Sequence, residues 1–316
     1  MFLNKEISNQ IDLWGNPVTK KYELRDKYIE PPFSVLDTRQ GTWLNRRNKW
    51  KSLGLESELG REIIGGNHFA GSFRDEIYHG KEVKSETTRR ILDVGGPHSI
   101  FDPVLCELMF KWFTGENSKI LDPFAGGSVR GIVAATLGHR YDGIELRGAQ
   151  VISNREQANR INTEHGIDKP NWIIGDSNVV LDDLWEKSLN EYDFILSCPP
   201  YGNLEIYSDL KDDISNMPYN EFLIIYESII NKACRLLKSG QLACFVVGEF
   251  RDKKGNYVGF VPDTIRAFKK AGMNFYNDMI LLNTVGSASM RAETTMRNKK
   301  IVKIHQNVLV FKKGEF

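Results

Sequence analysis

At 316 residues the chain is long enough for one large α/β domain with an appendage, and its 41% apolar content is ordinary for a water-exposed globular protein. A formal net charge of +1 neither points to a polyanionic partner nor excludes one. Four cysteines (Cys106, Cys198, Cys234, Cys244) without short paired spacing argue against a zinc ribbon or a disulfide framework, leaving reduced thiols in apolar contexts and no metal site. No charged-then-apolar leader opens the chain and no apolar run approaches ~18 residues, so a cytoplasmic protein with no membrane partner is expected.

Residues 1–94 lack a clear period and read as an appendage to a main domain over residues 95–316. Gly15-Asn16-Pro17 and Pro31-Pro32 punctuate loops. Around them runs a basic, aromatic segment: Lys20, Lys21, Tyr22, Arg25, Lys27, Tyr28, then Arg39, Trp43, Arg46, Arg47, Lys49, Trp50 and Lys51. Basic side chains interleaved with rings suit the phosphates and bases of a nucleic acid. The same residues also fit a solvated helix face with Trp43 and Trp50 turned inward at heptad spacing.

Near Gly95-Gly96-Pro97-His98 the pattern changes. Ile100, Phe101, Val104, Leu105, Leu108, Met109 and Phe113 recur at helical spacing, with Pro103 tolerated in the first turn and Gly115 closing the helix. A short apolar strand, Ile120-Leu121, then meets Asp122, Pro123, Phe124, Gly126 and Gly127. Glycines let the backbone approach a ligand closely, and the helix that follows presents N–H groups. The turn is neither the Gly-x-Gly-x-x-Gly fingerprint nor a phosphate loop, because no lysine follows. A carboxylate here suits a cationic or hydroxyl-bearing ligand.

A second strand, Tyr141 to Glu145, ends in an acid about 20 residues beyond the glycine turn, where an acid hydrogen-bonds ribose hydroxyls in such folds. A third, Trp172 to Asp176, ends in another acid, and a fourth runs through Tyr192, Phe194, Ile195 and Leu196 to Pro199-Pro200. Prolines cannot continue a ladder. The chain therefore leaves the sheet at its carboxyl edge, with carbonyls unpaired and the Tyr201 ring behind them. Unpaired acceptors beside a flat ring suit a planar group carrying an exocyclic amine. The alternation of strands and helices predicts an α/β fold with a Rossmann-like, doubly wound, mostly parallel sheet.

Asn203 to Tyr219 reads as a polar lid. A helix over Phe222 to Leu237, a strand over Gln241 to Gly248 and a helix over Val261 to Gly272 follow. Met279–Leu282 and Asn307–Phe311 complete the sheet as a C-terminal antiparallel hairpin. Between them lies an insert of ~20 residues, unusual in a compact domain and often functional. It is rich in basic residues, Arg291, Arg297, Lys299, Lys300 and Lys303, and its charge points to phosphate.

Asp122-Pro-Phe-Ala-Gly-Gly-Ser128 resembles the Asp-Pro-Phe-x-Gly-x-Gly motif of the S-adenosylmethionine-dependent DNA amino-methyltransferases, with Ser128 in place of the last Gly. Ser197-Cys-Pro-Pro-Tyr201 resembles their catalytic (Asp/Asn/Ser)-Pro-Pro-(Tyr/Phe/Trp) motif, and His98 to Leu105 the segment that covers the methionine end of the cofactor. The resemblance runs from about residue 95 to the C-terminus; Pro31 to Trp43 is also similar to a segment of phage and prophage DNA methylases.

What the resemblance implies is specific. The fold is that of the class I methyltransferases. S-adenosylmethionine is the cofactor. Its methionine end is lined by His98, Phe101, Asp122, Phe124, Gly126 and Gly127, its ribose is bound by Glu145 and its adenine amine by Asp176. Ser197, Cys198, Pro199, Pro200 and Tyr201 form the catalytic turn. DNA is the partner, contacted by Arg46 and Arg47 of the appendage, by Arg291, Arg297, Lys299 and Lys300 of the insert, or by both. The appendage then serves DNA recognition or oligomerisation.

Acceptors around the amine hydrogens draw the nitrogen towards a tetrahedral, nucleophilic form. The base must leave the duplex and stack, here on Tyr201. Cys198 departs from the family pattern, and a thiol is a weak acceptor. Either Cys198 suffices, or Ser197 or Asn203 substitutes, or the enzyme is slow or inactive. The motif most resembles the form linked to cytosine N4, ahead of adenine N6. Methylation of an amine or amide in RNA or protein, and a DNA-binding scaffold without turnover, are the alternatives.

Overall fold

The computed structural model describes residues 24–56, 101–187, 191–202, 208, 210–286 and 288–315. The chain up to Phe33 forms one unit and that from Ser34 onward another. The first contains a short helix α1 (Leu24–Tyr28), and an Arg25–Glu30 ion pair at 3.1 Å. The expected boundary at residues 94 and 95 lies outside the described residues.

The second unit is built on one eight-stranded sheet in the order β1-β7-β8-β6-β5-β2-β3-β4. The strands are β1 (Val35–Asp37), β2 (Lys119–Asp122), β3 (Arg140–Glu145), β4 (Asn171–Ile174), β5 (Tyr192–Ser197), β6 (Leu237–Val247), β7 (Met273–Leu282) and β8 (His305–Lys313). All neighbours pair in parallel except β8, which runs antiparallel to both β6 and β7. The fold is the doubly wound, mostly parallel sheet with a C-terminal antiparallel hairpin that the sequence predicts.

From β2 the chain winds outward through β3 to β4, then returns to β5 on the other side of β2 and winds the opposite way to β6. Right-handed crossovers in opposite directions place their helices on opposite faces and open a crevice between β2 and β5, the switch point where ligands bind. The β5 residues Phe194, Ile195 and Leu196 are fully buried, as a central parallel strand requires.

The helices of this unit are α2 (Gly41–Ser52), α3 (Pro103–Phe113), α4 (Val129–Thr136), α5 (Gly148–His165), α6 (Ser177–Lys187), α7 (Tyr219–Leu236), α8 (Phe260–Lys270) and α9 (Ala288–Met296). Pro103 opens α3 at a position whose N–H would be unpaired anyway, and Asp102 caps it by accepting from Val104 N at 2.9 Å. Helices α6, α7 and α8 pack together over an aromatic core of Phe222, Tyr226, Phe245, Phe260 and Phe268. Phe268 stacks on Phe311 of β8 at 3.9 Å. Among the described residues no helix is long and apolar enough to cross a membrane, and no cluster of metal-ligating side chains occurs.

Four features differ from the sequence reading. Val35–Asp37 is a strand, paired with Ile280–Leu282, and three residues are too few to show a period. Strand β7 begins at Met273 rather than Met279, because a bulge between Phe275 and Asn277 breaks the alternation. Strand β6 follows α7 directly, with Leu237 pairing Tyr192 ahead of a register shift. The insert between β7 and β8 carries helix α9.

Candidate active site

Asp122 ends β2 and Ser197 ends β5, so the two motifs face one another across the switch point. The Ser197 hydroxyl donates to Asp122 Oδ1 at 2.6 Å and accepts from Phe124 N at 3.2 Å. Ser197 is thereby wholly buried, and its hydroxyl is committed to the glycine turn rather than to the mouth of the site.

Asp122 is also fully buried. Its Oδ2 accepts from Arg130 Nε at 2.5 Å and from the Tyr141 hydroxyl at 2.8 Å. Burial by itself would loosen the Arg130 proton, but the Asp122 charge outweighs it, and the guanidinium pKa is raised. Burial, reinforced by Asp122, likewise drives the Tyr141 phenol well above its usual range.

At the end of β3, Glu145 is held by two backbone donors. Gly126 N reaches Oε2 and Arg147 N reaches Oε1, both at 2.9 Å. Each oxygen keeps a lone pair for a hydroxyl donor. Burial raises the Glu145 pKa above its usual 4.5, partly offset by the Arg147 N–H. Gly126 has φ 52°, the left-handed conformation that lets its N–H turn towards Glu145.

Asp176 precedes α6 and uses Oδ1 to accept from Asn178 N at 2.8 Å. Ser177 ties that helix start to the Pro123 carbonyl at 2.5 Å. Ser128, standing where the motif has glycine, donates to Gln157 of α5 at 2.6 Å, and Asn154 donates to the Gly126 carbonyl at 2.8 Å. A buried amide row on α5 therefore braces the glycine turn.

In the turn after β5, Pro199 is buried and Cys198, Pro200 and Tyr201 are partly exposed. The Cys198 Sγ lies 3.7 Å from the Tyr201 hydroxyl. That hydroxyl accepts from Gln306 Nε2 at 2.6 Å. The ring lies over Gly248, where an added Cβ would approach Tyr201 Cε2 to 3.0 Å, and is 5.8 Å from Phe260. Glu249, at the same edge, accepts from Gly259 N and Phe260 N at 2.9 Å and so caps α8.

The residues expected to meet the cofactor are brought together at one sheet edge, except His98, which lies outside the described residues. Phe101 is present but faces Arg130, whose guanidinium carbon sits 4.6 Å from its ring centroid. Asn203 also lies outside the described residues.

The basic residues divide into two groups. Arg46 forms an ion pair with Glu107 and Arg47 with Asp102, while Trp50 Nε1 and Trp43 Nε1 donate to the same two carboxylates at 2.9 Å and 3.0 Å. Trp43 and Trp50 are buried, and with these pairs the inner face of the helix clamps α2 on α3, while Lys49 and Lys51 are exposed on it. Arg291, Arg297 and Lys299 of the insert are exposed, and Arg297 makes a 3.3 Å pair with Glu293. Lys300 is partly covered and lies against Gly255.

Sequence reasoning did not single out Arg130, Gly248 or Gln306. Their roles rest on contacts across 8, 47 and 105 residues of chain, for which local patterning carries no signal.

No protein-family profile matches the chain, and no curated protein matches it. Solved structures of similar fold include TrmN from Thermus thermophilus, at 16% identity and a TM-score of 0.44 over 71% of this chain and 52% of that one. The chain thus spans about half the length of that protein. A TehB-like SAM-dependent methyltransferase from Corynebacterium glutamicum matches at 16% identity and a TM-score of 0.41, over 71% of this chain and 93% of that one. A candidate DNA modification methylase, also from Thermus thermophilus, matches at 20% identity and a TM-score of 0.33, over 45% and 52%. Likenesses of this degree carry no argument about substrate, which rests on the site itself.

Proposed function

We propose that the chain is an S-adenosylmethionine-dependent methyltransferase acting on the exocyclic amine of a flipped DNA base, with cytosine N4 favoured over adenine N6. The observation that carries this reading is the junction at the switch point. The Ser197 hydroxyl, one residue before Cys198-Pro199-Pro200-Tyr201, bonds both Asp122 and Phe124 of the glycine turn.

The residues present fit the nucleoside half of the cofactor. Glu145 is oriented by two N–H groups and keeps lone pairs for ribose hydroxyls, and Asp176 stands at the next strand end for the adenine amine. Bound S-adenosylmethionine would supply an electrophilic sulfonium methyl. The Pro199 carbonyl and the Cys198 sulfur accept from the amine hydrogens and raise the nucleophilicity of its nitrogen. Tyr201, held by Gln306, offers a ring for the flipped base. The exposed Arg291, Arg297 and Lys299 neutralise phosphates of the duplex.

One observation favours a second reading. With the Ser197 hydroxyl committed to Asp122, the acceptor that the described turn offers from the family's acidic or amide position is the Cys198 thiol, and a DNA-binding scaffold without turnover follows if it does not suffice. The test is incubation with labelled S-adenosylmethionine and unmethylated genomic DNA, then digestion to nucleosides and mass spectrometry. N4-methylcytosine or N6-methyladenine supports the enzyme and identifies the base. No methylated nucleoside, with cofactor and DNA binding both demonstrated, supports the scaffold, and methyl transfer to RNA or protein alone would redirect the substrate.

A further inference from the structure

The motif resemblance makes Asp122 a ligand contact, but its surroundings do not. A carboxylate has about four lone-pair sites. Four donors reach those of Asp122: on one oxygen Ser197 Oγ at 2.6 Å and Phe124 N at 3.2 Å, an N–H it shares with Ser197 Oγ, and on the other Arg130 Nε at 2.5 Å and Tyr141 OH at 2.8 Å. The residue is fully buried, and a ligand ammonium would have to displace one of them.

Arg130 reaches further than this pair. Its Nη2 donates to the carbonyls of Phe124 at 2.7 Å and Ala125 at 2.8 Å. Its side chain is 6% exposed, and its cationic face lies against Phe101. One guanidinium therefore fixes two carbonyls of the glycine turn directly and, through Asp122, the hydroxyl of the residue before Cys198. A lysine could supply the charge, but not three directed bonds from one planar group.

We propose that Arg130 is a positioning residue which, through Asp122 and Ser197, holds the glycine turn and the catalytic turn in one register, and that Asp122 does not bind the cofactor's amino group. The second half rests on the methyl-transfer reading above; the first is a property of the ligand-free chain.

The test is amide hydrogen exchange on the full chain without ligand, comparing the native protein with Arg130→Lys and Ser197→Ala. Loss of a hydrogen bond to a charged group implies about tenfold faster exchange in peptides covering both 122–128 and 197–202 for either variant. Acceleration confined to 122–128 in Arg130→Lys, or to 197–202 in Ser197→Ala, would overturn the brace. Should Arg130→Lys not fold, Ser197→Ala probes the same connection from its other end.

Calorimetry with S-adenosylhomocysteine and its analogue lacking the amino group tests the second half on Asp122→Asn. Equal weakening of both, to within about twofold, is expected; a tenfold loss or more for the amine-bearing ligand alone would place Asp122 on the ligand and overturn it. Failure of the native protein to bind either ligand would remove the cofactor reading and this second half with it, while the exchange result would still decide the brace.

Discussion

Gln306 donates its side-chain amide to the Tyr201 hydroxyl at 2.6 Å, across 105 residues of chain. Gln306 stands one residue after the start of β8, where the basic insert returns to the sheet. The segment proposed to meet DNA is thus covalently continuous with the group that holds the ring proposed to stack the base. Replacing Gln306 by Leu should lower stability by about 1 kcal/mol, the net worth of one hydrogen bond, and lower kcat more than cofactor affinity. Equal losses in kcat and cofactor binding would show that Gln306 supports the fold in general instead.

Gly248 lies beneath the same ring. An alanine methyl there would sit 3.0 Å from Tyr201 Cε2, closer than ordinary contact, so the ring must shift. Gly248→Ala should lower the rate of base methylation by about tenfold or more, because small displacements of positioned groups are costly, while cofactor affinity stays within about twofold. The comparison is single-turnover rate against calorimetric affinity. An unaltered rate would remove Tyr201 from the site.

The raised pKa of Glu145 gives a pH dependence with a definite sign. Ribose hydroxyls donate to the ionised carboxylate, so affinity for S-adenosylhomocysteine should fall as pH is lowered through a value above 4.5. Glu145→Gln should flatten that dependence. For folding the direction is opposite. The folded chain holds this proton more tightly than the unfolded one, so the contribution to stability is complete below about 4.5 and is lost as pH rises through the raised value. Calorimetry and thermal unfolding across pH 4–7 separate the two effects, with the window set around that carboxyl pKa.

The two groups of arginines should behave differently. Glu107→Ala removes the carboxylate that pairs Arg46 and accepts from the Trp50 N–H and should cost about 2–3 kcal/mol, below the loss for a wholly buried pair because the Arg46 side chain is 36% exposed. The readout is a Tm lower by several degrees. Replacing Arg291, Arg297 and Lys299 by Ser should leave Tm unchanged and reduce the slope of log K against log salt for duplex DNA, by about one for each phosphate no longer neutralised. An unchanged slope would assign the insert another role.

The sheet and its loaded edge were legible in the residue pattern. Alternating apolar runs and helical periods identify β2, β3, β4 and β5, and Asp122, Glu145, Asp176 and Ser197 sit at or just past their carboxyl ends, with Pro123, Gly175 and Pro199 cutting three of the four runs. The inward fit of Trp43 and Trp50 was likewise open to view from heptad spacing, but spacing could not choose between their solvated and nucleic-acid readings. Asp102 and Glu107, which accept from both indoles and both guanidiniums, are what turn the two rings inward.

What each polar group at the site is free to do depends on packing. An Asp in a glycine turn reads as a ligand contact until Arg130, Tyr141, Ser197 and Phe124 are seen to fill its lone pairs. Likewise, Ser197 reads as a candidate acceptor until its hydroxyl is found in the core. Hydrogen-bond capacity is finite and is claimed by whichever donors the fold brings within about 3 Å, irrespective of their distance along the chain. Local pattern reports which residues stand at the edge; occupancy of their lone pairs is a property of the packed molecule.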